Sequence, residues 1–492
     1  MLRKIRLTLA ITFISLITLL FLDFTGIIAA WFGWLAKIQF LPAVLALNVG
    51  VIIGLVAITL LFGRIYCSVI CPLGVMQDLF SRIRSLRQKN RFKFTKENKI
   101  LRYSVLVIFI ASLLAGIGSI VALLAPYSAF GRIIQSVVQP GYLAINNLIA
   151  DWAAKHEIYS VYHMEVWIKS LPVLITAVAT IVVLFIMAWT GGRTYCNSIC
   201  PVGTILGLIS RYSIFKPTID ISKCNSCGLC SRNCKSQCID SKSHDIDYSR
   251  CVVCGNCIDK CTKGAMKYTL SWGKKPSSAT STDNNINSDR RKFLSIVGLV
   301  GATATVGMAE KKVDGGLTIL EDKKIPNRAT RLVPPGAISL KNFAQHCTGC
   351  QLCVSKCPNQ VLRPGLEITT FMQPEMHFDK GFCRPECTLC SELCPTGAIL
   401  PICKGGKSAT HIGHAVWVEK NCVVCTDDVN CGNCAAHCPT GAIIMVDSEK
   451  YGHQIPVINE QRCIGCGACE YLCPARPYSA IYVEGHEVHR ND

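Results

Sequence analysis

Apolar residues in the first half of the chain run in long unbroken stretches, without the alternation of soluble strands or the one-sidedness of soluble helices. Positions 7–22, 41–62, 103–124 and 173–189 are almost free of charge. At about 1.5 Å of rise per residue, each is long enough, or nearly so, to carry a helix through a hydrocarbon layer roughly 30 Å thick. The pattern therefore predicts four spanning helices. The first follows Arg3, Lys4 and Arg6, as a secretory leader would, but no Ala-x-Ala cleavage signature closes it and three further spans follow. It reads as an anchor. After position 215 the long stretches stop, and short apolar and polar segments alternate between cysteines. The chain divides into a membrane domain (1–215), a small soluble module (216–270), a polar aperiodic linker (271–289), a weakly apolar stretch (290–309) and a larger soluble module (310–492).

A repeat lies inside the membrane domain. GRIYCSVICPLG begins at Gly63 and GRTYCNSICPVG at Gly192, each directly after an apolar span, which indicates a duplicated two-span hairpin. The second and fourth spans run in the same direction, so Cys67, Cys71, Cys196 and Cys200 are expected at one membrane depth. At i and i+4 each pair shares a helical face, and Pro72 and Pro201 suit a helix break. A single buried cysteine is ordinarily a small hydrophobe. Two matched Cys-x3-Cys-Pro copies favour a redox or metal role for these thiols, with the chemistry left open.

Charge sets an orientation and excludes one class. Lys and Arg number 51 against 32 Asp and Glu, a net +19, yet hydrophobic residues make up 50% of the 492 and charged residues 17%. This is too apolar for a soluble nucleic-acid binder, and no nucleic-acid partner is expected. Ten Lys/Arg fall in 63–102 and three in 125–170, so the positive-inside rule places the N-terminus and the basic loop on the cytoplasmic side. Beside anionic headgroups such charges are worth about 1 kcal/mol each. Trp31, Trp34, Trp152, Tyr159, Tyr162 and Trp167 then fall in outer loops, as interfacial anchors in preference to a quinone pocket.

The 31 cysteines are grouped by short gaps, which a disulfide scaffold does not explain. Cys224, Cys227, Cys230, Cys234 and Cys251, Cys254, Cys257, Cys261 both read Cys-x2-Cys-x2-Cys-x3-Cys. Zinc sites come as separated pairs. Runs of four with this spacing cap a 4Fe-4S cubane, the fourth cysteine ligating the other cluster of a two-cluster module. One cluster is thus expected on Cys224, Cys227, Cys230 and Cys261, and a second on Cys251, Cys254, Cys257 and Cys234, with Cys238 a competing thiol. Four more groups follow: Cys347, Cys350, Cys353, Cys357; Cys383, Cys387, Cys390, Cys394; a five-thiol group; and Cys463, Cys466, Cys469, Cys473. In the five-thiol group Cys422, Cys425, Cys434 and Cys438 are favoured, with Cys431 spare or an alternative ligand. Sequential and nested exchange of fourth cysteines both suit the spacing. Cys403 is expected to be a lone buried thiol and His346 a packing neighbour. About six 4Fe-4S clusters are expected, and no c-type haem, since Cys-x-x-Cys-His is absent. Six oxidised cubanes with their thiolates bring roughly −12 against the formal +19. The predicted fold class is multi-domain: an α-helical membrane domain of four spans plus a weak fifth, with small α+β ferredoxin-like 4Fe-4S modules on both sides.

Arg290 and Arg291 open the stretch RRKFL ahead of 295–309, rich in Gly, Ala and Thr. This resembles a twin-arginine signal, the address for export of folded proteins. It implies that 310–492 lies outside the cytoplasmic membrane, with 290–309 either a weak fifth span or a cut signal.

Through about residue 270 the chain resembles the NapH-type membrane ferredoxins, relatives of NosR and the FixG/CcoG proteins: four spans, Cys-x3-Cys-Pro at Cys67/Cys71 and Cys196/Cys200, then a two-cluster module. From the twin-arginine stretch onward, including RLVPPGA at 331–337, it resembles the NapG/MauM-type exported ferredoxins. The arrangement looks like a fusion of the two. It departs from the pattern at Lys235 and Thr262, where proline usually follows the fourth cysteine, and in the five-thiol group. The resemblance implies an inner-membrane electron carrier, a quinol dehydrogenase component of anaerobic respiration. It would take electrons from the quinone pool and deliver them to a periplasmic oxidoreductase, such as a nitrate reductase, or a small carrier; its partners would include the twin-arginine export machinery. The alternative is a maturation factor supplying electrons to a metal centre, with the membrane thiols binding or reducing a soft metal such as copper. No paired carboxylates or His-rich constellation stand out; Asp23 and Asp78 are the candidate proton acceptors.

Overall fold

The computed structural model describes residues 2–23, 26–87, 92–157, 161–270, 313–314, 318–319 and 321–491. The linker 271–289, the stretch 290–309 with Arg290 and Arg291, and Tyr159 lie outside the described residues.

Two apolar stretches form helices long enough to cross a membrane, α1 (Leu2–Leu22) and, later in the chain, Leu171–Gly191. The other two expected spans are each broken. After α1 come the short helices α2 (Ile27–Phe32), α3 (Trp34–Lys37) and α4 (Phe40–Leu45). Leu47 then takes a left-handed turn (φ 51°), and the Asn48 side chain caps α5 (Val49–Phe62) by accepting from the Val51 N–H at 3.3 Å. A polar cap inside an apolar run restarts the helix at the cost of its length. The helices α6 (Ile65–Val69) and α7 (Pro72–Arg87) follow, then α8 (Lys99–Leu114). Gly116, at φ 73°, stops α8 by a conformation that glycine alone adopts freely. The chain resumes as α9 (Gly118–Leu124) and bends by 80° into the Pro126–Lys155 run, made of α10 (Pro126–Ile133), a π-helical turn (Ile134–Val138) and α11 (Gln139–Lys155). Counting that bent pair as one span gives three among the described residues, against the four expected. α12 (Leu171–Gly191), α13 (Thr194–Ser198) and α14 (Pro201–Ser210) repeat the pattern of α5, α6 and α7.

The small module pairs Phe215–Ile219 antiparallel with Met266–Leu270, register Phe215↔Leu270 to Ile219↔Met266. It seats on the end of α5, where the Tyr268 hydroxyl donates to the Phe62 carbonyl at 3.0 Å and Phe215 stacks on Phe62 at 5.8 Å. Arg3 at the start of α1 pairs with its Asp259 at 3.2 Å. Among the described residues the large module has four antiparallel pairs: Val313–Asp314 with Thr318–Ile319, Leu362–Pro364 with Pro374–Met376, Thr410–Trp417 with Ile481–Asn491, and Ile443–Asp447 with Gln454–Ile458. It seats on the other end of α1, where Lys356 forms a buried ion pair with Asp23 at 3.1 Å. Gln139 donates to the Ser355 carbonyl at 3.2 Å and Lys169 to the Val354 carbonyl at 2.5 Å. The contact is close: a Cβ on Gly131 would stand 2.1 Å from the Cys350 carbonyl oxygen. Opposite ends of α1, about 30 Å apart along its axis, thus carry the two modules.

Candidate metal centres

Short helices and loops gather the soluble cysteines into cages. Cys224, Cys227, Cys230 and Cys261 line one small cavity. Cys234, Cys251, Cys254 and Cys257 line a second, with Cys238 beside them and its sulfur 3.5 Å from that of Cys234. In the large module Cys383, Cys387 and Cys390 share a cavity with Cys357, and Cys347, Cys350 and Cys353 face Cys394. Cys463 and Cys466 face Cys438, Cys469 completing that group. The structure brings the groups together sequentially, first with second and third with fourth. In the third, Cys422, Cys431 and Cys434 share the cage with Cys473. Where the spacing favours Cys425, the lining carries Cys431. The signal was in the chain: Cys431, Cys434 and Cys438 keep the regular x2 and x3 gaps, and the irregularity falls in front of them.

Chemistry of the donors fits iron–sulfur clusters. Burial pushes the thiols of Cys350 and Cys466 up to about 12 and that of Cys434 to about 11. Such groups stay neutral unless a metal stabilises the thiolate. Among the described residues no three His, Cys, Asp or Glu side chains are grouped to hold a single metal ion; around a cubane each thiolate takes its own iron. Backbone N–H groups of Ile399, Ala442 and Ala480 point at the sulfurs of Cys394, Cys438 and Cys473 at 3.4, 3.2 and 3.3 Å, an arrangement that tunes cluster potential. Cys403 is exposed rather than buried, capping a short helix at Gly406 N–H. His346 bonds the Asn342 carbonyl.

The two membrane repeats meet face to face. Gly63 (φ 74°) and Gly192 (φ 72°) end α5 and α12, and the arginine after each crosses to the other repeat. Arg64 donates to the Cys196 carbonyl at 3.2 Å and to Asn197 at 2.9 Å. Arg193 donates to the Cys67 carbonyl at 2.6 Å. Between them Cys67, Cys71, Cys196 and Cys200 lie buried at 3–4% exposure, Cys200 within electrostatic reach of the other three. Gln77 points its amide at the Cys196 sulfur, 3.1 Å away, and Arg64 Nη2 stands 3.8 Å from that of Cys67. Sequence reasoning passed over Arg64, Arg193 and Gln77, although the Gly-Arg pair stands at the head of both repeats.

One packed core holds Cys254 of the small module, Cys67, Cys71 and Cys200 of the repeats, and Cys350 of the large module. Asp78 is clamped by Arg6, Arg193 and Lys235 at 2.8, 2.9 and 3.5 Å, an ion network rather than an available base. Trp31, Trp34, Trp152 and Tyr162 are exposed, whereas Trp167 lies under Arg363 of the large module at 4.4 Å, a domain contact rather than a lipid anchor.

The family described as 4Fe-4S binding domain matches residues 44–91 and 172–221, which contain the two membrane repeats. The 4Fe-4S dicluster domain matches 346–398 and 425–476. The methylamine utilization ferredoxin-type protein MauM of Methylobacillus flagellatus is 32% identical over 182 residues, 35% of this chain and 75% of that one. The ferredoxin-type proteins NapF and NapG of Escherichia coli (strain K12) are 28% and 29% identical over 153 and 197 residues, covering 31% and 37% of this chain and 86% and 80% of theirs. No solved structure matches.

Proposed function

Because the chain belongs to the MauM-type family of ferredoxin-type 4Fe-4S electron-transfer proteins, we propose that it is a membrane-bound relay carrying electrons from quinol to a periplasmic oxidoreductase or small carrier. The observation that carries this reading is the placement of two cysteine-cage modules at opposite ends of α1, with four buried thiols in the core between them. In this reading 216–270 faces the cytoplasm and 310–492, exported through the twin-arginine stretch, faces the periplasm.

Bound 4Fe-4S clusters supply reversible one-electron transfer. The six quartets would hold them, with Cys431 in the place that spacing gives to Cys425. Cys67, Cys71, Cys196 and Cys200 would hold a centre that connects the two modules: two thiols from each repeat converge, and Arg64 and Arg193 would offset the negative charge that such a thiolate-bound centre brings into a low-dielectric core. Packing around them excludes water, and the Arg6–Asp78–Arg193–Lys235 network ties this step to the small module beside Cys234.

The test is anaerobic purification, iron and sulfide quantitation, and redox-monitored electron paramagnetic resonance during addition of a menaquinol analogue. Reduction of the clusters is expected; full cluster loading with no reduction by quinol overturns the reading. The convergence of the four buried thiols also supports a second reading, an electron-supplying maturation factor that reduces a soft metal there. Replacing the four by serine separates them: quinol oxidation retained while a partner enzyme fails to mature supports the second.

A further inference from the structure

Beside the cages, whose cavities measure about 20 to 30 Å³, one cavity of about 270 Å³ lies where the outer end of the membrane domain meets the large module. Its wall includes Asp23 beyond the end of α1, Gln135 within the π-helical turn and Gln139 just after it, Trp167, Lys169 and Cys357. We propose that this cavity is the binding site for the quinol head group, an inference that rests on the relay reading above.

Four features point to that ligand class. First, Cys357 lines both this cavity and the cage of Cys383, Cys387 and Cys390, so a molecule seated here is beside a cluster ligand. Second, the elements forming the wall carry exposed apolar and aromatic side chains on their outer faces: Ile27 and Trp31 on α2, Ile145 and Leu148 on α11. A ligand arriving past them comes from lipid. Third, the wall is polar where a head group needs partners and apolar where a tail leaves, with the Asp23–Lys356 ion pair and the two glutamines facing Pro140, Leu143 and Leu393. Fourth, π-helical turns are rare and concentrate at functional sites, and this one sets Gln135 and Gln139 at the cavity. A lipid-soluble, two-electron donor with two hydroxyl groups meets all four conditions. The quinol gives up two electrons one at a time: the first goes to the oxidised cluster that Cys357 would help hold and on to its neighbour in the large module, which frees that cluster to take the second. Two protons leave the hydroxyls to water at the cavity, and the product is the quinone.

The experiment uses the full-length, cluster-loaded protein and a photoreactive azido-naphthoquinone with a short isoprenoid tail. Crosslinked peptides are mapped by mass spectrometry, and cluster reduction by the reduced probe is followed separately. Labelling is expected within 135–143 and 162–169. Leu143→Trp, which fills the cavity, and the milder Asp23→Asn are each expected to cut labelling at least tenfold, with iron content and dithionite-reducible clusters unchanged. Labelling elsewhere, or labelling indifferent to both substitutions while the quinol still reduces the clusters, overturns the site and leaves the relay standing. Displacement of the probe by phospholipid alone marks a lipid site and also overturns the proposal. Failure of the quinol to bind or reduce the fully loaded wild-type protein removes the relay reading itself.

Discussion

Gly74 and Gly203 occupy equivalent places in the two repeats, and neither has room for a side chain. A Cβ on either would stand 2.2 Å from a carbonyl oxygen, that of Cys67 or Cys196, and these are the carbonyls that Arg193 and Arg64 grasp. The glycines therefore set how closely the helices carrying Cys71-Pro72 and Cys200-Pro201 approach the thiols behind them. Gly74→Ala is expected to destabilise the membrane domain by about 1–3 kcal/mol, as overpacking does. Gly54→Ala, in α5 with nothing within 4 Å of the added methyl, is expected to be neutral or mildly stabilising; thermal unfolding in detergent compares the two. At the same scale, the five-thiol group yields a count. Cys431→Ser is expected to lower bound iron by up to about four atoms per chain, the content of one cubane, whereas Cys425→Ser leaves it unchanged; iron analysis after anaerobic purification decides.

At the scale of elements, the strand Ile481–Asn491 shows what a small module gains by adding backbone around its cages. It pairs with Thr410–Trp417, and past a shift in register after Gly485 its His489 N–H reaches the Ile338 carbonyl at 2.8 Å. The His489 ring is buried without a hydrogen-bond partner for either nitrogen among the described residues. Burial, helped by His486, lowers its pKa from 6.5 to about 4. Below pH 6.5 the unfolded chain takes up a proton that the folded chain refuses until about pH 4, so stability falls with pH across that window. The loss is about 2 kcal/mol between pH 6.5 and about pH 5, and His489→Phe is expected to flatten it, read from denaturant unfolding at the two pH values. Elements were unevenly legible beforehand. The cysteine quartets announce themselves because a cubane dictates residue spacing. The spans at 41–62 and 103–124 do not show their breaks, because Asn48 and Gly116 are single residues whose effect depends on local caps and on the large module packed at Gln373 against Gly118. Pairing among the four groups of the large module was invisible for a related reason: it depends on which loops fold back on which, and gap lengths within a group carry no information about that.

At the scale of the whole molecule, the placement of the modules makes a demand on biogenesis. Arg3 and Asp259 meet at one end of α1, and Asp23 and Lys356 at the other. If α1 spans the bilayer, the 310–492 segment has crossed it while 216–270 has not. The crossing segment carries four cysteine cages, and a chain threaded unfolded would meet an oxidising compartment before its clusters were in place. A route for folded cargo, which the proposed reading assigns to Arg290 and Arg291, would avoid that. Proteinase added to spheroplasts, with the clusters loaded, is therefore expected to attack the large module and leave the small one intact, read with antibodies to each. Arg290→Lys together with Arg291→Lys is expected to leave the large module protected inside, and with it to lose the Asp23–Lys356 contact that closes the cavity at the outer end of α1. Protection of the large module in the unmodified, fully loaded protein would place both modules on one side and rule out α1 as the axis between them.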